Sequence, residues 1–238
     1  MGARSVPYRL FNEDCLKVSK LIPARKFGLI YLDPPFGTGV TQHLGANAYD
    51  DQITGEEYLT FLMKRVEKLV KHLEPNGFLV VHLDKHYVYE VKNRMASIGI
   101  PFAGDVIWAY RRWSSSVQAL QNNHDTLLVF TANQSYQAGR ILIAHSIVAP
   151  SSRERVGYPT QKPIGFLKKL FQHFDNYGAF DSILDPFMGS GSTLVAGLEL
   201  GKTVCGFDVS TAAFKIATSR LRENAATYQN QLSLSSEL

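Results

Sequence analysis

The chain has 238 residues, 45% hydrophobic and 19% charged, which is enough for one sizeable α/β core, and no Pro/Gly/Ser linker divides it. No apolar run is long enough to span a bilayer and no signal-peptide pattern opens the chain, so membrane and secreted classes are excluded and the cytoplasm is the expected location. The net charge is only +4, yet residues 108 to 173 carry eight lysines and arginines against two acids, a local excess of +6 that predicts a face for a phosphate backbone.

Met1-Gly2-Ala3-Arg4-Ser5-Val6 has Val where a myristoylation signal requires Ser or Thr. Two cysteines, Cys15 and Cys205, make no disulfide framework, and the histidines have no zinc spacing, so no metal is predicted. The first predicted strand is Phe27–Leu32, and Asp33-Pro34-Pro35-Phe36 follows at its carboxyl end, where open α/β sheets place ligands. The prolines lack N–H groups and hold φ near one value, which leaves the carbonyls of Asp33 and Pro34 free to accept hydrogen bonds. A carboxylate, free carbonyls and the flat Phe36 ring suit an amino group on a planar ring, such as a nucleobase.

Residues 37–55 are polar and contain glycine, and they read as a mobile lid. Leu59, Leu62, Val66, Leu69, Val70 and Leu73 recur at helical spacing and predict a helix over Glu56–Leu73, ended by Glu74-Pro75-Asn76-Gly77. Further strands are predicted at Phe78–Leu83, Asp105–Tyr110, Thr126–Thr131, Ser182–Leu184 and Thr203–Phe207. Further helices are predicted at His86–Ser97, Pro163–His173, Ser192–Leu200 and Thr211–Ala225. This alternation predicts an α/β fold, a mostly parallel twisted sheet with helices on both faces. Residues 132–158 are irregular apart from Ile141-Leu142-Ile143, and Gln229 to Leu238 is a polar tail expected to fray.

The second constellation, Ser182-Ile183-Leu184-Asp185-Pro186-Phe187-Met188-Gly189-Ser190-Gly191-Ser192-Thr193, reads as a strand, a Gly-rich turn and a helix start capped by Ser192. It lacks the Lys of a P-loop and the third Gly of a dinucleotide fingerprint. Asp208, at the tip of the next strand, is placed to accept hydrogen bonds from two ribose hydroxyls.

Asp-Pro-Pro-Phe together with Asp-Pro-Phe-Met-Gly-Ser-Gly-Ser-Thr resembles the amino-group DNA methyltransferases, in the β arrangement where the catalytic motif precedes the cofactor motif. Three further segments are similar in the family's order: Asn12-Glu13-Asp14-Cys15-Leu16, Asn123-His124-Asp125-Thr126-Leu127-Leu128-Val129-Phe130 and Tyr158-Pro159-Thr160-Gln161-Lys162-Pro163. The resemblance covers nearly the whole chain and implies a Rossmann-like class I methyltransferase fold with S-adenosylmethionine as cofactor and double-stranded DNA as partner. It further implies catalysis by Asp33, Pro34, Pro35 and Phe36 on a flipped base. It assigns cofactor contacts to Asp14, Cys15, Asp33, Thr160, Lys162, Phe187, Gly189, Ser190, Gly191, Ser192 and Asp208. Asp14 would accept from the adenine amino group. Arg111, Arg112, Arg140, Arg153 and Arg155 are the candidate DNA contacts, with 132–158 as a small recognition segment.

Phe36 replaces the more familiar Tyr, and stacking needs only the ring. Asp rather than Ser at the first catalytic position, with Gly37-Thr38-Gly39 after the ring, looks like the adenine-N6 branch. Cytosine-N4 transfer, RNA as the substrate, and a catalytically silent nucleic-acid-binding subunit are the alternatives. Homodimers are common in the family, and a restriction-modification role implies a cognate restriction endonuclease.

Overall fold

Phe27–Leu32 carries apolar side chains on both faces and is buried throughout, as a central parallel strand requires. It forms β2 of a computed structural model that describes residues 8–39, 42–44, 47–49, 51–110, 123–136 and 139–235. The other strands are β1 (Tyr8–Phe11), β3 (Gln42–Leu44), β4 (Asn47–Tyr49), β5 (Leu73–Leu83), β6 (Phe102–Ala109), β7 (His124–Phe130), β8 (Arg140–Ala144), β9 (Ser182–Asp185) and β10 (Thr203–Phe207). The helices are α1 (Val18–Leu21), α2 (Gly55–Leu69), α3 (Val88–Met95), α4 (Ile164–Asp175), α5 (Ser192–Glu199) and α6 (Thr211–Ser235).

Eight strands form one sheet in the order β1-β10-β9-β2-β5-β7-β6-β8, while β3 and β4 make a separate antiparallel hairpin. Among the described residues of the large sheet, only β7 runs against its neighbours. The chain leaves β2 through α2 towards β5 on one side, and leaves β9 through α5 towards β10 on the other. The switch point therefore falls between β2 and β9, and a crevice opens at their carboxyl ends. Alternate residues of β2 feed two cores: Leu29 and Tyr31 pack with Phe166, Leu194 and Leu221 of α4, α5 and α6. Ile30 and Leu32 pack with Leu62, Val66 and Val91 of α2 and α3. Gly28 is required for close approach, since a Cβ there would lie 2.3 Å from that of Phe180.

The doubly covered α/β sheet agrees with the sequence, and several boundaries do not. The first long helix stops at Leu69, Val70–His72 is a 3₁₀ turn, and β5 begins at Leu73. Glu74-Pro75-Asn76-Gly77 thus belongs to a strand rather than to a helix end. Leu73 pairs with Phe27 and Phe78 with Leu29, so the exposed residues Glu74, Pro75 and Asn76 bulge outwards, where Pro75 needs no ladder partner. Ile141-Leu142-Ile143 lies in an edge strand, β8, parallel to β6. Tyr8–Phe11 is a strand that the sequence reading missed. Helix α6 continues to Ser235, so the tail is helical from Gln229 to that residue, and 236–238 lie outside the described residues. The same is true of Met1-Gly2-Ala3-Arg4-Ser5-Val6. No helix among the described residues is long and apolar enough to cross a membrane.

Candidate active site

The carboxyl ends of the strands surround a cavity of about 940 Å³ whose wall includes Asp33-Pro34-Pro35-Phe36 after β2 and Pro186-Phe187-Met188-Gly189-Ser190 after β9. Asp14, Cys15, Arg155, Thr160, Lys162, Ser192 and Asp208 also line it, so residues from distant segments converge. Gly191 does not itself face the cavity. It stands at the N-cap of α5 with φ +80°, and a Cβ there would meet Ala217 at 3.0 Å. Ser192 is therefore the first helical residue and not the cap that the sequence suggested.

The Gly-rich turn is fastened from both sides. Gly189 donates its N–H to Asp208 Oδ2 at 2.8 Å, and Asp208 Oδ1 accepts from the Ser210 N–H at 2.8 Å. From α6, the buried Arg220 donates through Nη1 to the Ser190 carbonyl at 2.8 Å and to the hydroxyls of Ser190 and Ser192, each at 3.1 Å. Asp185, at the end of β9, is buried and accepts the Phe187 N–H at 2.9 Å. Burial pushes its carboxyl up to about 7, and the nearby Asp33 and Asp208 carboxylates add to the rise. Burial likewise raises Asp208. The wall is thus rich in carboxylates that disfavour one another, an environment suited to a cationic ligand.

Asp33 is flanked by two groups, Lys162 from the loop before α4 and His82 from β5. Lys162, which the resemblance assigned to the cofactor, donates its Nζ proton to Asp33 Oδ2 at 2.5 Å and lies 5.1 Å from the centre of the Phe36 ring. Asp33 Oδ1 is buried, has no hydrogen-bond partner among the described residues, and lies 3.6 Å from Nδ1 of the fully buried His82. The Tyr31 hydroxyl approaches the same Nδ1 at 2.9 Å, and the Phe36 ring centre is 5.4 Å from the imidazole. His82 Nε2 meets Asp125 Oδ2 at 3.1 Å, and the Tyr110 hydroxyl donates to Asp125 Oδ1 at 2.8 Å. Burial alone would raise Asp125, but its bond with His82 holds the carboxyl down to about 2.

Phe36 is positioned from the other side by the start of the 37–55 segment. Gly37 donates its N–H to the buried Asp51 at 2.6 Å, Thr38 Oγ1 donates to the same carboxylate at 2.5 Å, and the Tyr87 hydroxyl donates to the Gly37 carbonyl at 3.2 Å. The segment expected to be a lid contains the β3–β4 hairpin, and its residues 40, 41, 45, 46 and 50 lie outside the described residues.

Several expected residues have commitments that the sequence did not reveal. Asp14 caps the 3₁₀ turn at Cys15–Lys17 by accepting the Leu16 N–H at 2.8 Å, and its other oxygen accepts from Arg65 at 2.6 Å. Burial pushes the Cys15 thiol up to about 12, which keeps it protonated and fits a packing residue. Thr160 lies on the cavity wall with φ +56°, a backbone that a β-branched residue rarely adopts. Trp108 stacks on Phe166 at 4.5 Å and donates to the His145 carbonyl, as a packing residue does.

The basic region does not form one free face. Arg140 pairs with Asp105 at 2.9 Å, Lys168 with Glu199 at 2.8 Å, and Lys162 with Asp33. Arg155 reaches the cavity, Arg153 is exposed, and Arg111, Arg112 and Trp113 lie outside the described residues. His82, Asp125, Arg220 and Asp51 were not recognised as site residues. His82 and Asp125 had a signal: each is a polar residue in a strand of otherwise mostly apolar character.

Comparison with known proteins agrees with this fold. M.HpaI, a type II methyltransferase of Haemophilus parainfluenzae, is 24% identical over 90% of this chain and 74% of the relative. M2.DpnII, a type II methyltransferase of Streptococcus pneumoniae, is 24% identical over 92% of this chain and 91% of its own length. Among solved structures, the M1.HpyAVI–SAM complex superposes with a TM-score of 0.65 at 18% identity, covering 90% of this chain and 98% of that one. The cytosine-N4-specific PvuII DNA methyltransferase also gives 0.65, at 15% identity, over 94% of this chain and 93% of its own. The family profile described as DNA methylase matches residues 27–219, from the strand that presents Asp33 to the helix that carries Arg220's neighbours, and the chain belongs to that N6/N4 DNA methylase family.

Proposed function

We propose that the protein is a site-specific DNA methyltransferase that moves a methyl group from S-adenosylmethionine to the exocyclic N6 of adenine in a flipped-out base. The observation that carries this reading is the convergence of the Asp33 carboxylate, the Phe36 ring and the Gly-rich turn on one cavity. The residues fit the cofactor. The carboxylates of Asp33, Asp185 and Asp208 on the wall favour a sulfonium cation, Asp208 retains lone pairs for a ribose diol, and Phe187 offers an apolar face. When bound, S-adenosylmethionine supplies an electrophilic methyl group.

The chain's own residues prepare the acceptor. An exocyclic amine shares its lone pair with the base and is a poor nucleophile while planar. Hydrogen bonds from its two N–H groups to Asp33 and to the Pro34 carbonyl draw it towards a tetrahedral geometry, and Phe36 holds the base face. Positioning supplies much of the acceleration. A base in a duplex cannot reach a cavity at the strand ends, so it leaves the stack. Arg111, Arg112, Arg140, Arg153 and Arg155 serve the DNA, chiefly its phosphates. The relatives named type II methyltransferases support a restriction-modification role; a cytoplasmic location, a cognate endonuclease and a homodimer belong to this reading as its own expectations.

Asp at the first motif position favours adenine. Cytosine-N4 is the second reading, because a cytosine-N4-specific enzyme shares the fold with the same TM-score as M1.HpyAVI. Methylating unmodified DNA with the purified protein, digesting it to nucleosides and identifying the product by mass spectrometry tests both: N6-methyl-2′-deoxyadenosine is expected, and N4-methyl-2′-deoxycytidine alone would transfer the assignment. Arg220→Met is expected to weaken S-adenosylmethionine binding roughly tenfold, the worth of about one charge-assisted hydrogen bond. Calorimetry with the protein and cofactor alone checks this, and unchanged affinity would remove Arg220 from the cofactor site.

A further inference from the structure

Methylating an amino nitrogen leaves a proton to be disposed of. The N–C bond forms, the C–S bond of the donor breaks with its electron pair remaining on sulfur, and the nitrogen becomes cationic until it loses one N–H proton. The nearest base is Asp33. Its Oδ2 is already engaged by Lys162, and its Oδ1 faces inward, away from solvent and without a donor.

We propose that His82 is a positioning residue that receives this proton through Asp33. The proton lands on Oδ2, a half-turn of the protonated carboxyl brings it to face Nδ1 while Lys162 pairs with the other oxygen, and Nδ1 takes it as the Tyr31 hydroxyl swings aside. The inference rests on the methyl-transfer reading above. Its first support is tautomeric. An ionised Asp125 only accepts, so the bond at 3.1 Å fixes a proton on His82 Nε2 and leaves Nδ1 as the nitrogen with a lone pair. Nδ1 is the ring atom that lies 3.6 Å from Asp33 Oδ1. The second support is charge. Once His82 takes the proton, the imidazolium lies between the Asp33 and Asp125 carboxylates, with Lys162 beyond Asp33. Two cations then face two anions in a site that is closed to water at the imidazole. The Tyr31 hydroxyl, 2.9 Å from Nδ1, donates to the bare nitrogen and turns its oxygen towards it after protonation. The Tyr110 hydroxyl keeps Asp125 oriented throughout.

The groups facing His82 are Tyr31 and Asp33 from β2, Asp125 from β7 and Trp108 from β6, with Tyr110 and Lys162 one contact further out. Trp108 does not titrate. Removing the Asp125 charge disfavours the imidazolium, and this predicts the direction of a shift.

Two measurements test the proposal. In the cofactor-free protein, ¹⁵N NMR of the His82 ring is expected to find Nε2 protonated and Nδ1 bare above the ionisation, and Asp125→Asn is expected to move that ionisation to lower pH. A proton on Nδ1 with Nε2 bare, or an ionisation that Asp125→Asn leaves in place, overturns the proposal. In single-turnover methylation of DNA, the wild-type rate is expected to fall as the pH drops through the His82 ionisation. His82→Gln is expected to slow the step on the order of 10²-fold and to lose that limb, with DNA and cofactor affinities kept. A folded His82→Gln protein with the wild-type pH profile overturns the proposal; should this variant not fold, the Asp125→Asn titration decides. Wild-type protein that methylates no DNA overturns the function and the proposal together, whereas active enzyme with an unmoved profile overturns the proposal alone.

Discussion

Replacing Asp33 by alanine is expected to lower single-turnover methyl transfer on the order of 10³-fold while S-adenosylmethionine still binds within a few-fold of wild type. The carboxylate is the acceptor that reshapes the target nitrogen, and its removal leaves the Gly-rich turn intact, since that turn is fastened by Asp208 and Arg220. A second effect accompanies the first. Lys162 is buried and its ammonium lies 2.5 Å from Asp33 Oδ2, so Asp33→Ala strands a cation in a low-dielectric site. Breaking such a pair from one side costs about 3 kcal/mol. The double variant Asp33→Ala/Lys162→Met removes the stranded charge, and it is expected to regain stability in denaturant unfolding without regaining activity. Recovery of both together would mean that Asp33 serves folding rather than chemistry.

The catalytic motif was legible because physical signals coincide there: β2 is apolar on both faces, as only a central parallel strand is, and it ends abruptly at two prolines. The Gly-rich turn was legible for the same reason, a short apolar strand followed by glycines and a helix. Partners supplied by non-local packing were not legible. His82 and Asp125 are 43 residues apart, and their contact depends on β5 pairing antiparallel with β7, which sets His82 opposite Leu127 and leaves Asp125 two residues along on the same face. Arg220 reads as one more surface cation until α6 packs against α5 and turns it under the Ser190–Ser192 turn. Asp14 reads as a free acceptor until Arg65 of α2 reaches it. The edge strands β1 and β8 escaped because an edge needs burial on fewer sides, and Tyr8-Arg9-Leu10-Phe11 shows little of the continuous apolar character that marks β2.

Wild-type stability is expected to fall with rising pH, and Asp185→Asn is expected to flatten that fall. Burial raises the Asp185 carboxyl to about 7, whereas in the unfolded chain it titrates near the ordinary aspartate value of 3.8. Between those values the folded protein keeps a proton that the unfolded chain has released. The folded state therefore binds more protons, and stability must decrease as the pH rises through this window. Each pH unit carries at most about 1.4 kcal/mol, so the loss is limited to a few kcal/mol. Asparagine keeps an acceptor for the Phe187 N–H and cannot ionise. Asp208, also raised by burial, contributes with the same sign in both proteins, so the difference between wild type and variant isolates Asp185. Denaturant unfolding at about pH 4 and about pH 8 reads the result: similar stabilities at the lower pH, near the unfolded value, and a more stable variant at the higher. Parallel curves would mean that Asp185 titrates in the folded protein as it does in the unfolded chain, and burial would then not hold its proton.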